Sequence, residues 1–362
     1  MKRRGLIVYL VFEVVFLASC VKDIPDSDIN GGFLHGAYIT NEGAFGNSNG
    51  SVSYFDTDSS KMINHVFESV NGRPLGDVVQ SFSIAGTKAF IVVNNSQKVE
   101  VVDLKTFKSL STIDSLEYPR YFLAINDKKG YLTDGNFNGR VYVIDLASLK
   151  ITDTIPCGSG PEKMIHYGKS ILVANSGGWG NDSTLTVIDT DNDQVAATWM
   201  VGMNPADLVL DKDRQLWILC KGKVVWNQDF TIKEETSSSL AVLDPGLGKL
   251  MRTINIGSVG DFFWPQHIGI NKGKDLIYYL EAEGVYSISS SGSSSSNSSG
   301  SGSNLVISKN LYGFGVDPVT DIIYALYAPS FTTSGWLFRF KPDGVRMDST
   351  EVGIGPSQIV FN

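Results

Sequence analysis

Val141-Tyr-Val-Ile-Asp145 reads as a short β-strand that ends in a turn, and it is one of seven such marks along the chain. Four more are Val52-Ser-Tyr-Phe-Asp56, Val99-Glu-Val-Val-Asp103, Leu185-Thr-Val-Ile-Asp189 and Leu240-Ala-Val-Leu-Asp244. Two worn copies follow, Val285-Tyr-Ser-Ile-Ser289 and Leu337-Phe-Arg-Phe-Lys341. Their spacing is roughly 42 to 55 residues. A period of that length, built only from strands and turns, is the pattern of a β-propeller blade, whose loops converge around a central channel. The expected fold is therefore all-β, a seven-bladed β-propeller over residues 36–362.

The unit from Glu162 to Pro205 shows how one blade is written. Lys163–Tyr167 is the inner strand, Ser170–Asn175 the second, Thr184–Asp189 the third and Gln194–Val201 the outer, with alternation suited to half-buried strands. Gly202-Met-Asn-Pro205 crosses to the next blade, as Tyr118-Pro119, Gly160-Pro161, Trp264-Pro265 and Gly355-Pro356 do elsewhere. Proline fits there because it fixes φ and needs no ladder hydrogen bond. The segment Ser357–Asn362 supplies one inner strand, and Gly36–Asn41 aligns with a second strand. The C-terminal strand is thus expected to complete the first blade and remove two sheet edges.

With their Gly-Pro crossings, these repeats resemble the YVTN-type propeller repeat over residues 36–362. Its Thr-Ile-x-x-Gly stretch survives in Asp153-Thr-Ile-Pro-Cys-Gly158 and Arg252-Thr-Ile-Asn-Ile-Gly257. The Ser/Gly stretch Ser289–Ser303 falls in the sixth copy and reads as a surface loop, because it has nothing to bury.

The first residues read as an address. Lys2, Arg3 and Arg4 precede an apolar run from Leu6 to Leu17, which Glu13 interrupts and which is too short to span a bilayer. Leu17-Ala18-Ser19-Cys20 resembles a bacterial lipobox. Residues 1–19 are thus expected to be a lipoprotein signal peptide, with Cys20 lipidated and 20–35 a polar tether. The acidic segment after Cys20 is similar to the one that sends many Bacteroidota lipoproteins to the outer cell surface. An outer-membrane anchor facing the exterior is expected.

The whole chain carries a formal charge of −8, and −10 once the leader's three basic residues and Glu13 are gone. An acidic chain without basic runs argues against nucleic acid as a partner. Cys157 and Cys220 fall in strand ends of different blades and are expected to be free thiols.

Local catalytic motifs are missing. His35, His65, His166 and His267 show no metal-ligand spacing, and no metal site is expected. Asp189-Thr-Asp-Asn-Asp193 resembles a calcium loop only briefly, since Gln194 occupies the glycine position and Met200 the glutamate position. No nucleophile elbow, Walker loop or dinucleotide fingerprint occurs. A propeller can still gather an active site from several blades. Glu42, Asp134, Glu281 and Glu283 with Arg120 form the candidate cluster for a lactonase or lyase.

What the loops do carry is aromatic and amide side chains. The loop between second and third strands and the crossing between blades share one end of the ring. The candidate ligand-binding residues there are Asn41, Glu42 and Phe45, then Asn95, Tyr118 and Arg120. Phe137, Trp179 and Trp226 follow, then Phe263, Trp264, Gln266 and Phe331. Large exposed rings with placed polar groups make a binding platform. Arg120 is the candidate for an anionic ligand group.

A second resemblance concerns Asn41-Glu-Gly-Ala-Phe-Gly46, followed by Asn49-Gly50 and a strand. It looks like the opening of a Bacteroidota surface-lipoprotein propeller family whose members act as capture subunits beside TonB-dependent transporters. The activity known in that family is very tight cobalamin binding. The resemblance implies a non-catalytic protein that needs no cofactor, takes cobalamin or another corrinoid as a transported ligand, and hands it to such a transporter. A glycan- or protein-binding scaffold would use the same face.

Overall fold

A computed structural model of the chain describes residues 32–260, 267–291 and 302–362. The expected signal peptide, Cys20 and most of the tether lie outside the described residues, as do Phe263, Trp264, Gln266 and much of Ser289–Ser303.

Seven four-stranded antiparallel sheets follow one another along the chain. In blade 4 the strands are Pro161–Tyr167, Ser170–Asn175, Thr184–Asp189 and Gln194–Met200, paired in that order. Each blade's inner strand touches the inner strand of the next, and the contacts return from the seventh blade to the first. The return is made by Pro356–Phe361, which pairs antiparallel with Gly36–Asn41 through Ile39 opposite Ile359 and Tyr38 opposite Val360. The first blade is thus completed by the C-terminal strand.

Burial gives the same answer independently. Apolar side chains gather into seven clusters, one between each pair of neighbouring blades. An open row of seven blades would have six. The closing cluster joins Tyr324, Leu326 and Leu337 of blade 7 to Ala37, Ile39 and Phe55 of blade 1. Phe33 is buried in the cluster between blades 1 and 2, and its amide donates to the Lys105 carbonyl, so the packed body reaches three residues before the expected boundary at 36.

The aspartate that ends five of the repeat marks caps the turn after it. Asp103 accepts from the Thr106 amide and hydroxyl, Asp145 from Ser148, and Asp189 from the Asp191 amide. Four residues beyond each aspartate the backbone turns left-handed, at Ser60, Phe107, Leu149, Asp193 and Gly248. These are Asx-type turns, and they explain why the mark ends in Asp. Asp193 pairs with Lys129 at 2.9 Å, so the calcium-like stretch is a hairpin turn. Cys157 and Cys220 are both free.

Two elements depart from the repeat. A six-residue helix, Val66–Asn71, follows the short outer strand of blade 1 and buries Val66 and Phe67. In blade 5 the loop between second and third strands rises as a hairpin, Val224–Trp226 with Ile232–Glu235.

Candidate functional site

The start of each inner strand sets the centre of the ring. Pro119 pairs with Asp134 and Phe122 with Leu132, so Arg120 and Tyr121 together oppose one residue. Blade 4 does the same, with Glu162 and Lys163 between the Pro161–Asn175 and Met164–Val173 pairs. Related register shifts occur beside Gln80, Ala206 and Ser357. A β-bulge of this kind breaks the strict in–out alternation and re-aims side chains. Consecutive polar residues can therefore both meet the neighbouring blades at the channel mouth.

They form separate charged and polar groups at the mouth. The Nε of Arg120 donates to both carboxylate oxygens of Glu162, at 2.9 and 3.1 Å, and Nη1 donates to Gln80. Gln80 in turn donates to the Tyr121 hydroxyl. Lys163 donates to Asp207, which also accepts the Ile268 amide at 3.3 Å and lies 3.7 Å from His267 Nδ1. Both carboxylates of Glu162 and Asp207 are largely withdrawn from water. Across the mouth, Tyr312 donates to Glu42.

Electrostatics follow from burial. Burial pushes Glu42 up to about 7, against the opposing effects of the Tyr312 hydrogen bond and the Arg120 charge. Burial would raise Asp207 as well, but the Lys163 charge and His267 hold it below the usual range. His267 and Lys221 are both lowered, by burial first and then by neighbouring cations.

Around these groups stand exposed aromatics. Trp179 is 78% exposed, Phe45 77% and Phe137 64%, and Phe331 and Trp226 are about half exposed. The Tyr118 ring lies 6.1 Å from Trp179 and carries the Arg120 guanidinium at 5.4 Å. Phe137 lies close to Gly180, beside Trp179. Opposite them, Phe331 packs edge-on to Tyr312 at 5.2 Å. Asn181 ties the blade 5 hairpin to the blade 4 loop by donating to the Val224 carbonyl. The candidate residues thus fall into a rim of Phe45, Tyr118, Phe137, Trp179, Trp226 and Phe331 and a centre containing Arg120 and Glu42. Asn41 is fully buried and donates to Ser51 and Ser53, so it builds blade 1 and presents nothing to solvent. Asn95 is exposed and donates to Asp77 at the edge of blade 2.

A family model described as "Domain of unknown function (DUF5074)" matches residues 35–351. The chain belongs to the DUF5074 family. Two solved structures resemble this DUF5074 propeller in fold. A quinonprotein alcohol dehydrogenase-like protein from Bacteroides thetaiotaomicron VPI-5482 is 16% identical at a TM-score of 0.66, over 92% of this chain and 79% of that one. Kuenenia stuttgartiensis hydrazine synthase is 13% identical at 0.59, over 86% of this chain and 95% of that one. No curated protein matches the chain.

The four carboxylates considered for a propeller lactonase do not form one cluster in this DUF5074 chain. Asp134 accepts from the Tyr142 hydroxyl, Glu281 from Ser238 and Glu283 from Tyr286, each within its own part of the ring. A groove of about 510 Å³ between blades 2 and 3 lies at the other end, lined by Ala85, Gly86 and Asn126 with few titratable groups. Gln80, Glu162, Lys163, Asp207, Lys221 and Tyr312 escaped the sequence reading. For Glu162, Lys163 and Asp207 the signal is a charged residue within two positions of a crossing proline, in Pro161-Glu-Lys and Pro205-Ala-Asp, as in Pro119-Arg-Tyr; Gln80, Lys221 and Tyr312 follow no such proline.

Glu42 gives a direct pH test. Its folded pKa near 7 exceeds the ordinary 4.5, so between these values the native state binds more protons than the unfolded chain. Stability contributed by this group therefore falls as pH rises through that window. Glu42→Gln is expected to melt close to the wild type at pH 5 and above it at pH 8. A melting difference that does not change with pH would mean Glu42 titrates normally.

Proposed function

We propose that this propeller is a non-catalytic capture protein that binds a corrinoid, most simply cobalamin, on the loop-bearing end of its ring. It is held at the outer membrane through lipid on Cys20, faces the exterior, and passes its ligand to a TonB-dependent transporter. The observation that carries the binding reading is the exposed aromatic rim around a buried charged centre. Rings in water are costly unless a partner covers them. The apolar edge of a corrin would lie against Tyr118, Phe137 and Trp179, while its amide side chains would meet the polar groups between blades. Anchoring and delivery rest on the lipobox and the acidic segment after Cys20.

Calorimetric titration of residues 21–362 with cyanocobalamin tests this. One-to-one binding is expected, and a Phe137→Ala/Trp179→Ala double variant should bind about ten-fold or more weakly, as hot-spot aromatics do. No heat, and no corrin colour co-eluting with the protein, would reject the corrinoid and leave a glycan or protein ligand for the same face.

A further inference from the structure

We propose that the blade 5 hairpin, Val224–Trp226 with Ile232–Glu235, is a docking arm whose Phe230 enters an apolar pocket of a folded protein partner. This deepens the capture reading and rests on it, since the partner in that reading is the transporter.

A conflict between Phe230 and its own backbone is the first reason. Phe230 takes a left-handed conformation, φ 65°, which glycine or asparagine adopts at lower cost. Two other large apolar residues do the same, Phe107 and Leu149. Phe107 is fully buried, and Leu149 packs against the cluster between blades 2 and 3, so each gains burial within the fold. Phe230 is 85% exposed and meets no other ring among the described residues. A strained backbone and an uncovered ring are both unfavourable in the free chain, and a partner that covers the ring offsets them.

The second reason is that the ring is held in place. At the tip the Asn227 amide donates to the Thr231 carbonyl at 2.8 Å, and the Phe230 amide to the Asn227 carbonyl at 3.1 Å. Side chains repeat the closure: Asn227 Nδ2 donates to Thr231 Oγ1, and the Thr231 hydroxyl donates to Asp229. At the base, Asn181 from the blade 4 loop donates to the Val224 carbonyl and accepts the Val224 amide. An anchor fixed before contact loses little freedom on binding, and a single such ring can dominate a protein interface.

Shape and charge select the partner. The ring stands on a convex tip, whereas small ligands sit in concave sites. Its neighbours in the turn, Asn227, Gln228, Asp229 and Thr231, bring one negative charge and no cation. A tip that sought a membrane surface would carry Lys or Arg there. A second copy fits poorly. The apolar groove between blades 2 and 3 lies at the opposite end, so insertion there would be head-to-tail and would not close as a pair. A pocket with an apolar floor and a polar edge on another protein matches the tip.

The test uses the full chain in the cell that makes it. A photo-reactive phenylalanine replaces Phe230 in one strain, and in a second Leu247, 73% exposed in a turn at the other end of blade 5. Irradiation is expected to join position 230, and not 247, to a TonB-dependent transporter identified by mass spectrometry. Phe230→Ala should cut co-purification of that transporter about ten-fold or more, and should bind cyanocobalamin as the wild type does. Phe230→Gly suits the left-handed backbone, so it should lose docking yet melt no more than about 2 °C below the wild type. A larger drop would make Phe230 a folding residue and overturn the arm. A cross-link only to a second copy, to lipid or to some other protein overturns it, and so does none. Full transporter recovery with Phe230→Ala overturns the arm and leaves corrinoid capture standing. Weaker cyanocobalamin binding by that variant would place the ring in the ligand site and overturn the arm as well. A wild type that binds no cyanocobalamin, but whose position 230 still joins a transporter, keeps the arm and rejects the corrinoid.

Discussion

A chain that stops at residue 358 is expected to lose its single cooperative unfolding transition. The four residues removed include Ile359, Val360 and Phe361, which pair with Ile39, Tyr38 and Ala37 in the inner half of blade 1. Ile359 and Phe361 also belong to the cluster that joins blade 1 to blade 7. Fully burying a side chain of this kind is worth roughly 1.5–3 kcal/mol. Three of them, two only half-buried, amount to a large part of the roughly 5–15 kcal/mol that holds a native protein together. The deletion also uncovers the edge of Gly36–Asn41 and so creates a template for aggregation. Thermal unfolding followed by tryptophan fluorescence and circular dichroism would show broad, non-coincident transitions. A sharp transition within about 5 °C of the full-length protein would mean that the ring does not depend on its closing strand.

The fold was legible because one chemical device recurs. Each Val-x-Val-x-Asp mark places alternating apolar residues against both neighbouring blades and ends on an aspartate that caps a tight turn. Blades 6 and 7 show why the copies wear. Ser289 and Lys341 replace the capping aspartate, yet Tyr278, Leu280, Ala325 and Phe338 still fill their shared interface. Apolar alternation carries the blade and the cap only trims it. Insertions are what the period hides. Val66–Asn71 is too short to show helical periodicity, and Val224–Glu235 has the composition of an ordinary loop.

The site was legible at its rim and less so at its centre. Exposed rings such as Trp179 and Phe137 stand out in a loop because nothing local explains them. Glu162, Lys163 and Asp207 do not, since a strand read with strict alternation assigns only every second residue to a face. The bulge after each crossing breaks that rule, and a bulge leaves little trace in sequence beyond the proline before it. Asn41 shows the reverse error. An amide at a strand end looked available to a ligand, but its backbone sits in the first blade's second strand and its side chain bonds Ser51 and Ser53. Which end of the ring a residue occupies follows from the repeat; whether it points outward needs the register.

Asp207→Ala is expected to cost about 3–5 kcal/mol, the range found when one partner of a buried ion pair is removed. Asp207 links three blades: Lys163 reaches it from blade 4, its own strand belongs to blade 5, and the Ile268 amide and His267 come from blade 6. Its side chain is only 5% exposed, so water cannot replace it. Removal leaves Lys163 charged without its acceptor and the Ile268 amide unpaired. Asp207→Asn keeps the volume and part of the hydrogen bonding, and should cost less. A Lys163→Met/Asp207→Leu double variant should also cost less than Asp207→Ala, because it removes the stranded charge along with its partner. The pH dependence has a definite sign. Asp207 titrates below its ordinary 3.8 when folded, so its contribution is present above that pH and fades as pH falls through the folded value. His267 is lowered from 6.5, so acid also favours the unfolded chain through this group, beginning near that pH. Urea unfolding midpoints at pH 7 and pH 3 should show a wide gap between wild type and Asp207→Ala at the higher pH and a narrower one at the lower. A cost below about 1 kcal/mol at pH 7 would place the pair with exposed ion pairs, which contribute little. The charged centre would then be a solvated feature of the channel, and its claim to organise a ligand would weaken with it.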